Sequence, residues 1–312
     1  MMTDLPLDHV RTLLVAVDAG TFEAAARILH VTPSAVSQRV KALEQRTGRV
    51  LLVRSKPLRP TDSGVAVVRF ARQLAWLEDN ARAELGLTGP AGGSSDPGSG
   101  DGSGDGPPVP TTLSIAVNSD SLSTWFPEVT ARFGPESGAC FDLHREDQDY
   151  TDELLRAGLV MAAVSSSPKP VQGCVVRPLG KMRYRAVATR AFVERWLPDG
   201  TTADALGAAP VVVFNHKDDL QDGFLRRLGG SNSGRRHYVP ATDAFLYAVE
   251  IGLGWGLIPD VQAEQFGQVE LLELAPGRPV DVPLYWQQWK LAPPLLTAVG
   301  EAAAEVAARR LG

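Results

Sequence analysis

Apolar side chains recur at helical spacing through the first part of the chain. Val10, Leu13, Leu14 and Val17 fall at i, i+3, i+4 and i+7, one apolar face of a first helix. Gly20 ends that helix, and Thr21 is placed to cap a second, in which Phe22, Ala25, Ala26 and Leu29 repeat the pattern. Thr32 then stands as N-cap and Pro33 at the first helical position, where its missing N–H costs nothing. In this third helix Val36, Val40 and Leu43 point inward, while Ser34, Ser37, Gln38 and Lys41 share the opposite face. Hydroxyls, an amide and a cation on one exposed face are groups that read base edges and hold phosphates. A short apolar strand, Val50 to Val53, leads into a basic turn from Arg54 to Arg59 that reads as a wing. The pattern predicts a winged helix-turn-helix over residues 1–60. Its candidate DNA contacts are Thr32, Pro33, Ser34, Ser37, Gln38, Arg39, Lys41, Arg54, Lys56 and Arg59.

The pattern then changes twice. Thr61 caps a long helix, residues 61–88, in which Val67, Phe70, Leu74, Leu77 and Ala81 form the seam of a dimerising coiled coil. Residues 89–110 break all periodicity. Seventeen of these 22 are Gly, Pro or Ser. Such a stretch buries no core and reads as a flexible linker with a span of roughly 25 Å.

From residue 111 onward, short apolar runs alternate with amphipathic stretches. TTLSIAVN, ACFDLHRE, VMAAVS, YRAVAT and PVVVF read as strands. Residues 122–133, 151–157, 218–228, 242–251 and 295–311 read as helices. The alternation predicts an α/β domain with mostly parallel sheets over 111–312. Ligands on such sheets bind beyond the carboxyl ends of strands. That rule nominates Ser119, Asp120, Ser121, Ser123, Thr124 and Trp125 after the first strand, and Glu146 and Asp147 after the second. It adds Ser165 after the third, Asn215, His216 and Asp218 after PVVVF, and Thr242 and Asp243 at a helix start. Several carboxylates among hydroxyls suit a zwitterion with an extra positive charge. Lys169 and Lys217 lie nearby and would favour an anion instead.

Charge sharpens the first reading. Residues 1–60 hold nine Lys/Arg against five Asp/Glu, whereas the whole chain carries a net charge of −5. A basic module on an acidic protein is the footprint of phosphate binding. The start of the chain, MMTDLPLDHV, has neither a basic segment nor an apolar one, so no signal peptide is expected. No apolar run reaches membrane-spanning length, so a cytoplasmic protein without membrane contact is expected. Cys140 and Cys174 read as buried thiols, and the five histidines show no metal-ligand spacing. Gly252, Gly254 and Gly256 follow a helix, not a strand, so they do not form a phosphate-binding loop. No cofactor, no metal and no catalytic residue is expected.

AAARILHVTPSAVSQRVKALE, within a longer match over about the first 65 residues, resembles the N-terminal domain of LysR-type transcriptional regulators. The resemblance implies an all-α winged helix-turn-helix plus long linker helix, joined to an α/β two-lobed, periplasmic-binding-protein-like effector domain. It implies dimers through the linker helix, often tetramers, acting on double-stranded dyad DNA and on RNA polymerase. Residues 89–110 depart from the short hinge of that family. NSDSLSTWFPEV, EDQDYTDELLRAGLVMAAVSS, APVVVFNHKDDLQDGFL and LYWQQWK are similar to the branch that regulates export of arginine and lysine. By that analogy Ser121, Ser123 and Thr124 hold the amino-acid backbone, and Asp120, Glu146 or Asp147 faces the cationic side chain. The expected function is a transcription factor sensing lysine or arginine and controlling an exporter gene. Two alternatives stand beside it: a regulator with a different effector, and an architectural or replication-related DNA-binding protein. An enzyme fused to a DNA-binding domain finds no nucleophile–base pair to support it.

Overall fold

The structure, a computed structural model, describes residues 5–85, 111–145 and 148–311. The expected linker at 89–110, and Glu146 and Asp147, lie outside the described residues. The chain divides into two compact units. One comprises Met1–Ser114, Pro135–Cys140 and Asp152–Met161; the other comprises Ile115–Gly134, Phe141–Thr151 and Ala162–Gly312.

The first unit opens with α1 (Leu7–Ala19), α2 (Phe22–Ile28) and α3 (Pro33–Thr47). Each expected cap is present. Gly20 adopts a left-handed φ of 73° after α1, and the hydroxyls of Thr21 and Thr32 accept the N–H groups of Ala24 and Ala35. His30 makes the turn between α2 and α3 with a φ of 53°. Val10, Leu13, Val40 and Leu43 meet in one apolar cluster, and Ala16, Ala25, Ala26 and Val36 in another. The strand expected at 50–53 forms only at β1 (Leu52–Val53), which pairs antiparallel with β2 (Arg59–Pro60). Glu44 of α3 ties this ribbon down, because its Oε1 accepts the N–H groups of Leu51 (2.8 Å) and Leu52 (3.3 Å).

The long helix α4 (Asp62–Glu84) follows. Val68 and Ala71 are buried against the first unit's core, while Phe70 and Leu77 of the expected seam remain exposed. Arg72 pairs with Asp18 and donates to the carbonyl of Ala157 at 2.7 Å.

The α/β part contains, in order, β3 (Thr111–Val117), α5 (Ser119–Ser123), α6 (Pro127–Thr130), β4 (Ala139–Arg145), α7 (Gln148–Ala157) and β5 (Ala162–Ser165). Then come β6 (Cys174–Thr189), α8 (Arg190–Trp196), α9 (Ala203–Ala208), β7 (Val211–Val213) and α10 (Leu220–Arg227). The last elements are β8 (Arg236–Tyr238), α11 (Thr242–Glu250), β9 (Gly256–Pro259), α12 (Asp260–Phe266), β10 (Leu271–Glu273), β11 (Val280–Trp289) and α13 (Pro294–Arg310).

Two expectations do not hold. The helix expected at 122–133 is two short helices, because Trp125 and Phe126 turn into the core and Pro127 can only begin a new helix. The expectation of mostly parallel sheets also fails. Strand order in the large sheet is β10-β6-β11-β5-β3-β4, with β9 also on β6. β11 runs antiparallel to both β5 and β6, and β9 and β10 run antiparallel to β6. Parallel pairing holds for β3 with β5 and for β7 with β8. Of β6 only the stretch YRAVAT is expected, because Pro178, Gly180 and alternating charges interrupt its apolar run, and Pro283 and two glutamines hide β11 in the same way.

Candidate functional sites

The first candidate surface lies on α3 and the wing. Thr32, Pro33, Ser34, Gln38 and Lys41 are exposed, and Ser37 is half-buried among them. Thr32 Oγ1 lies 2.9 Å from Ser34 Oγ, which ties the cap to the first residue of the polar stripe. Arg54, Lys56 and Arg59 are exposed on the ribbon. Arg39 is placed differently. It is half-buried, and its guanidinium donates to the hydroxyl of buried Thr12 at 3.4 Å, toward α1 and away from the stripe. The surface therefore offers hydroxyls, an amide and four cations with no carboxylate among them, a set suited to phosphates and base edges.

The second candidate site is a cavity of about 440 Å³ in the second unit. This is the size of a small-molecule pocket. Asn118, Ser119 and Asp120 reach it from the end of β3, Tyr184 from β6, and Asn215 and Lys217 to Gln221 from the loop after β7 into α10. Thr242 and Gln262 come from α11 and α12, and Phe214, Phe245, Leu257, Pro259 and Val282 supply apolar wall. The rule that ligands sit beyond strand ends thus locates the cavity although the sheet is mixed.

Asp120 is the centre of its polar chemistry. Its Oδ2 accepts the Tyr184 hydroxyl at 2.7 Å and its Oδ1 that of Thr242 at 3.3 Å. Asp120 lies deep in the protein yet keeps part of its surface open to the cavity. Burial holds its carboxyl above the usual carboxylate range, against the two hydroxyl donors that lower it; the charge of Asp218 adds to the rise. Burial and the neighbouring Asp120 likewise push the Tyr184 phenol well up. Gln262 fixes Thr242 by donating to its carbonyl at 2.7 Å.

Asp218 has a different task. Its carboxylate accepts the N–H groups of Leu220 (2.9 Å) and Phe214 (3.1 Å), while Asn215 Oδ1 accepts those of Lys217 (2.8 Å) and Asp218 (3.1 Å). The loop is thereby closed by its own side chains. Burial raises Asp218 despite those backbone donors. Asp219 on the same wall pairs with Arg226.

Of the residues nominated from sequence, Ser119, Asp120, Asn215, Asp218 and Thr242 line the cavity, as does Lys217. The others do not. Ser121 and Trp125 are fully buried in the core, and Ser123 is exposed. Thr124 is buried, donating to the carbonyl of Asp120 at 2.6 Å. Ser165 is buried and accepts the N–H of Ser167 at 3.0 Å. His216 packs on Tyr238 with ring centres 3.9 Å apart, and Asp243 is exposed on α11. The sequence reading missed Tyr184, Gln221 and Gln262. A signal for Tyr184 existed, since Met182, Tyr184 and Ala186 alternate with Lys181, Arg183 and Arg185 and so face inward. Among the described residues, no group of His, Cys, Asp and Glu is arranged to hold a metal ion, and no helix is long and apolar enough to cross a membrane.

A basic winged helix-turn-helix followed by an α/β domain with a small-molecule cavity defines a DNA-binding regulator of the ligand-responsive class. Residues 7–65 match the bacterial regulatory helix-turn-helix protein family of the lysR type, and residues 108–308 match the LysR substrate binding domain. The chain belongs to the LysR family of regulators. It is 42% identical over 302 residues to the HTH-type transcriptional regulator LysG of Mycobacterium tuberculosis, covering 96% of this chain and 93% of that protein. It is 39% identical over 311 residues to the lysine export transcriptional regulatory protein LysG of Corynebacterium glutamicum, covering 98% of each. The full-length structure of that Corynebacterium LysG with bound effector Arg superposes with a TM-score of 0.80 at 36% identity, over 98% of this chain and 99% of that one.

Proposed function

We propose that this chain is a cytoplasmic transcription factor that binds dyad DNA sites and responds to a basic amino acid, lysine or arginine, to control an amino-acid exporter gene. Asp120 carries the reading. It is a buried carboxylate on a small-molecule cavity, and its partners among the described residues are two neutral hydroxyls. A buried charge without a counter-charge is unfavourable, and a cationic ligand relieves it. Lys217 on the same wall is suited to the ligand's α-carboxylate. The lysine-export name of the Corynebacterium relative and the arginine bound in its structure agree with this chemistry.

The protein acts as a homodimer or homotetramer. Phe70 and Leu77, exposed along α4, support pairing of two such helices, which sets two copies of α3 on two half-sites. The DNA-reading groups are Thr32, Ser34, Ser37, Gln38 and Lys41, with Arg54, Lys56 and Arg59 on phosphates. Ligand binding shifts the contacts with DNA and RNA polymerase, and the protein works by binding without turnover.

Calorimetric titration of the full chain tests the ligand. Lysine or arginine is expected to bind with a dissociation constant of about 1 mM or tighter, and glutamine not at all. Heat from glutamine equal to that from both basic amino acids would refute the assignment.

A further inference from the structure

Arg72 of α4 holds two acceptors from distant parts of the chain. One end of its guanidinium donates to the carbonyl of Ala157 at 2.7 Å, and the other pairs with Asp18 of α1. The side chain is 17% exposed, so the fork is largely shielded from water. Ala157 is the last residue of α7. That helix is closed by the N–H groups of Gly158 and Leu159, which donate to the carbonyls of Leu155 (3.1 Å) and Leu154 (2.9 Å). The Ala157 carbonyl takes no part in the closure and stands at the negative end of the helix, where a cation is favoured. Gly158 makes the approach possible. It is buried with a φ of 70°, and a Cβ there would lie 3.1 Å from both Cα and Cγ of Arg69. The end of α7 thus rests on the backbone of α4. Asp18, Arg69, Arg72, Ala157 and Gly158 all belong to the first unit.

Given the ligand-responsive regulator proposed above, we infer that Arg72 is the residue that couples ligand binding to DNA binding. On one side it grips α1, whose Val10 and Leu13 pack in one core with Val40 and Leu43 of the reading helix α3. On the other side α7 is joined to the cavity by a short, hydrogen-bonded route. Met161 lies four residues beyond Ala157, and its N–H donates to the carbonyl of Ser114 at 2.8 Å. Ser114 belongs to β3, which leads directly to Ser119 and Asp120 in the cavity. Coupling travels through such bonded strands when some element along them has two discrete arrangements. The fork supplies that element. A shift of the Ala157 carbonyl by about 1 Å takes it out of hydrogen-bond range, so the contact is either made or lost. Only a planar fork reaches both acceptors at once; a lysine ammonium is a single point charge. A ligand that binds better to one of the two arrangements changes how firmly α1 and α4 are held to the α/β part.

The affinity of the full chain for a DNA fragment enriched from its own genome, measured with and without L-arginine and L-lysine, tests this. In the native chain at least one amino acid should change that affinity by roughly fivefold or more. Arg72→Met keeps the apolar stem and removes the fork, and the change should fall below about twofold. Calorimetric affinity of the same variant for the amino acid should stay within about twofold of native, as expected of a site far from the change. Arg82→Met removes an exposed cation of the same helix, one paired with Glu78, and should respond as native does. Thermal melting confirms folding. If Arg72→Met melts early, Arg72→Lys takes its place with the same expected loss, since it keeps the charge and holds one acceptor at most. A folded Arg72 variant with the native response, or an equal loss in Arg82→Met, would overturn the coupling role while leaving the regulator reading standing. A native chain whose DNA affinity neither amino acid alters overturns both.

Discussion

Replacing Asp120 with asparagine is expected to weaken lysine and arginine binding by roughly 30-fold or more, the cost of losing one partner of a buried charge pair. Asparagine keeps the shape and one acceptor oxygen, so the loss is of charge. The variant should fold. Burial raises the Asp120 carboxyl above its unfolded value, so its contribution to stability is complete at low pH. That contribution is lost as pH rises from the ordinary carboxylate range through the raised folded value. Above that window the empty native protein carries a buried charge that Asp120→Asn does not, and the variant should melt no lower than native at neutral pH. The same sign governs binding. A cation favours the ionised carboxylate, so binding releases a proton. Native affinity should climb with pH across that window and level off above it, while the variant's stays flat. The groups facing Asp120 are Tyr184, held well above its usual range, and Asp218. An Asp120→Asn protein with native affinity for both amino acids would remove Asp120 from the site.

The second large effect concerns the DNA reader. Gly64 stands in the first turn of α4, where a Cβ would lie 1.9 Å from the carbonyl oxygen of Leu51 and 3.2 Å from Pro60 Cβ. The approach is fixed on both sides. Thr61 donates its N–H to that same carbonyl at 3.0 Å and its hydroxyl to Val50 at 2.7 Å, and it caps Gly64 N at 3.1 Å. Gly64→Ala must therefore push α4 off the wing strand, and backbone does not yield as a side-chain tip would. Overpacking of this severity destabilises by about 3 kcal/mol, a large part of a domain's stability. DNA affinity should fall by about tenfold or more, while titration with arginine or lysine remains native, since the cavity belongs to the second unit with its own core. Native-like melting and DNA binding in Gly64→Ala would show that the α4–wing contact is not as close as described.

The contrast between these two regions also explains what could be read in advance. The helix-turn-helix was legible because its signals are local: Gly20, Thr21, Thr32 and Pro33 each act within one turn, and the apolar spacing fixes the inner face. Arg39 shows the limit, since its pairing with Thr12 spans two helices. The cavity was half legible. Asp120, Asn215, Asp218 and Thr242 follow strand ends or open helices, and position alone nominates them. Tyr184, Gln221 and Gln262 arrive through strand pairing and helix packing that no local spacing encodes. Trp125 and Ser121 were lost to the core because the helix breaks at Pro127, which turns that segment inward.

The most direct test of a basic-amino-acid-responsive regulator is the affinity of the full chain for a DNA fragment enriched from its own genome, measured with and without arginine and lysine. At least one of them is expected to change that affinity by roughly fivefold or more, the scale of allosteric coupling, and the change is expected to vanish in Asp120→Asn. An affinity that neither amino acid alters would contradict that function.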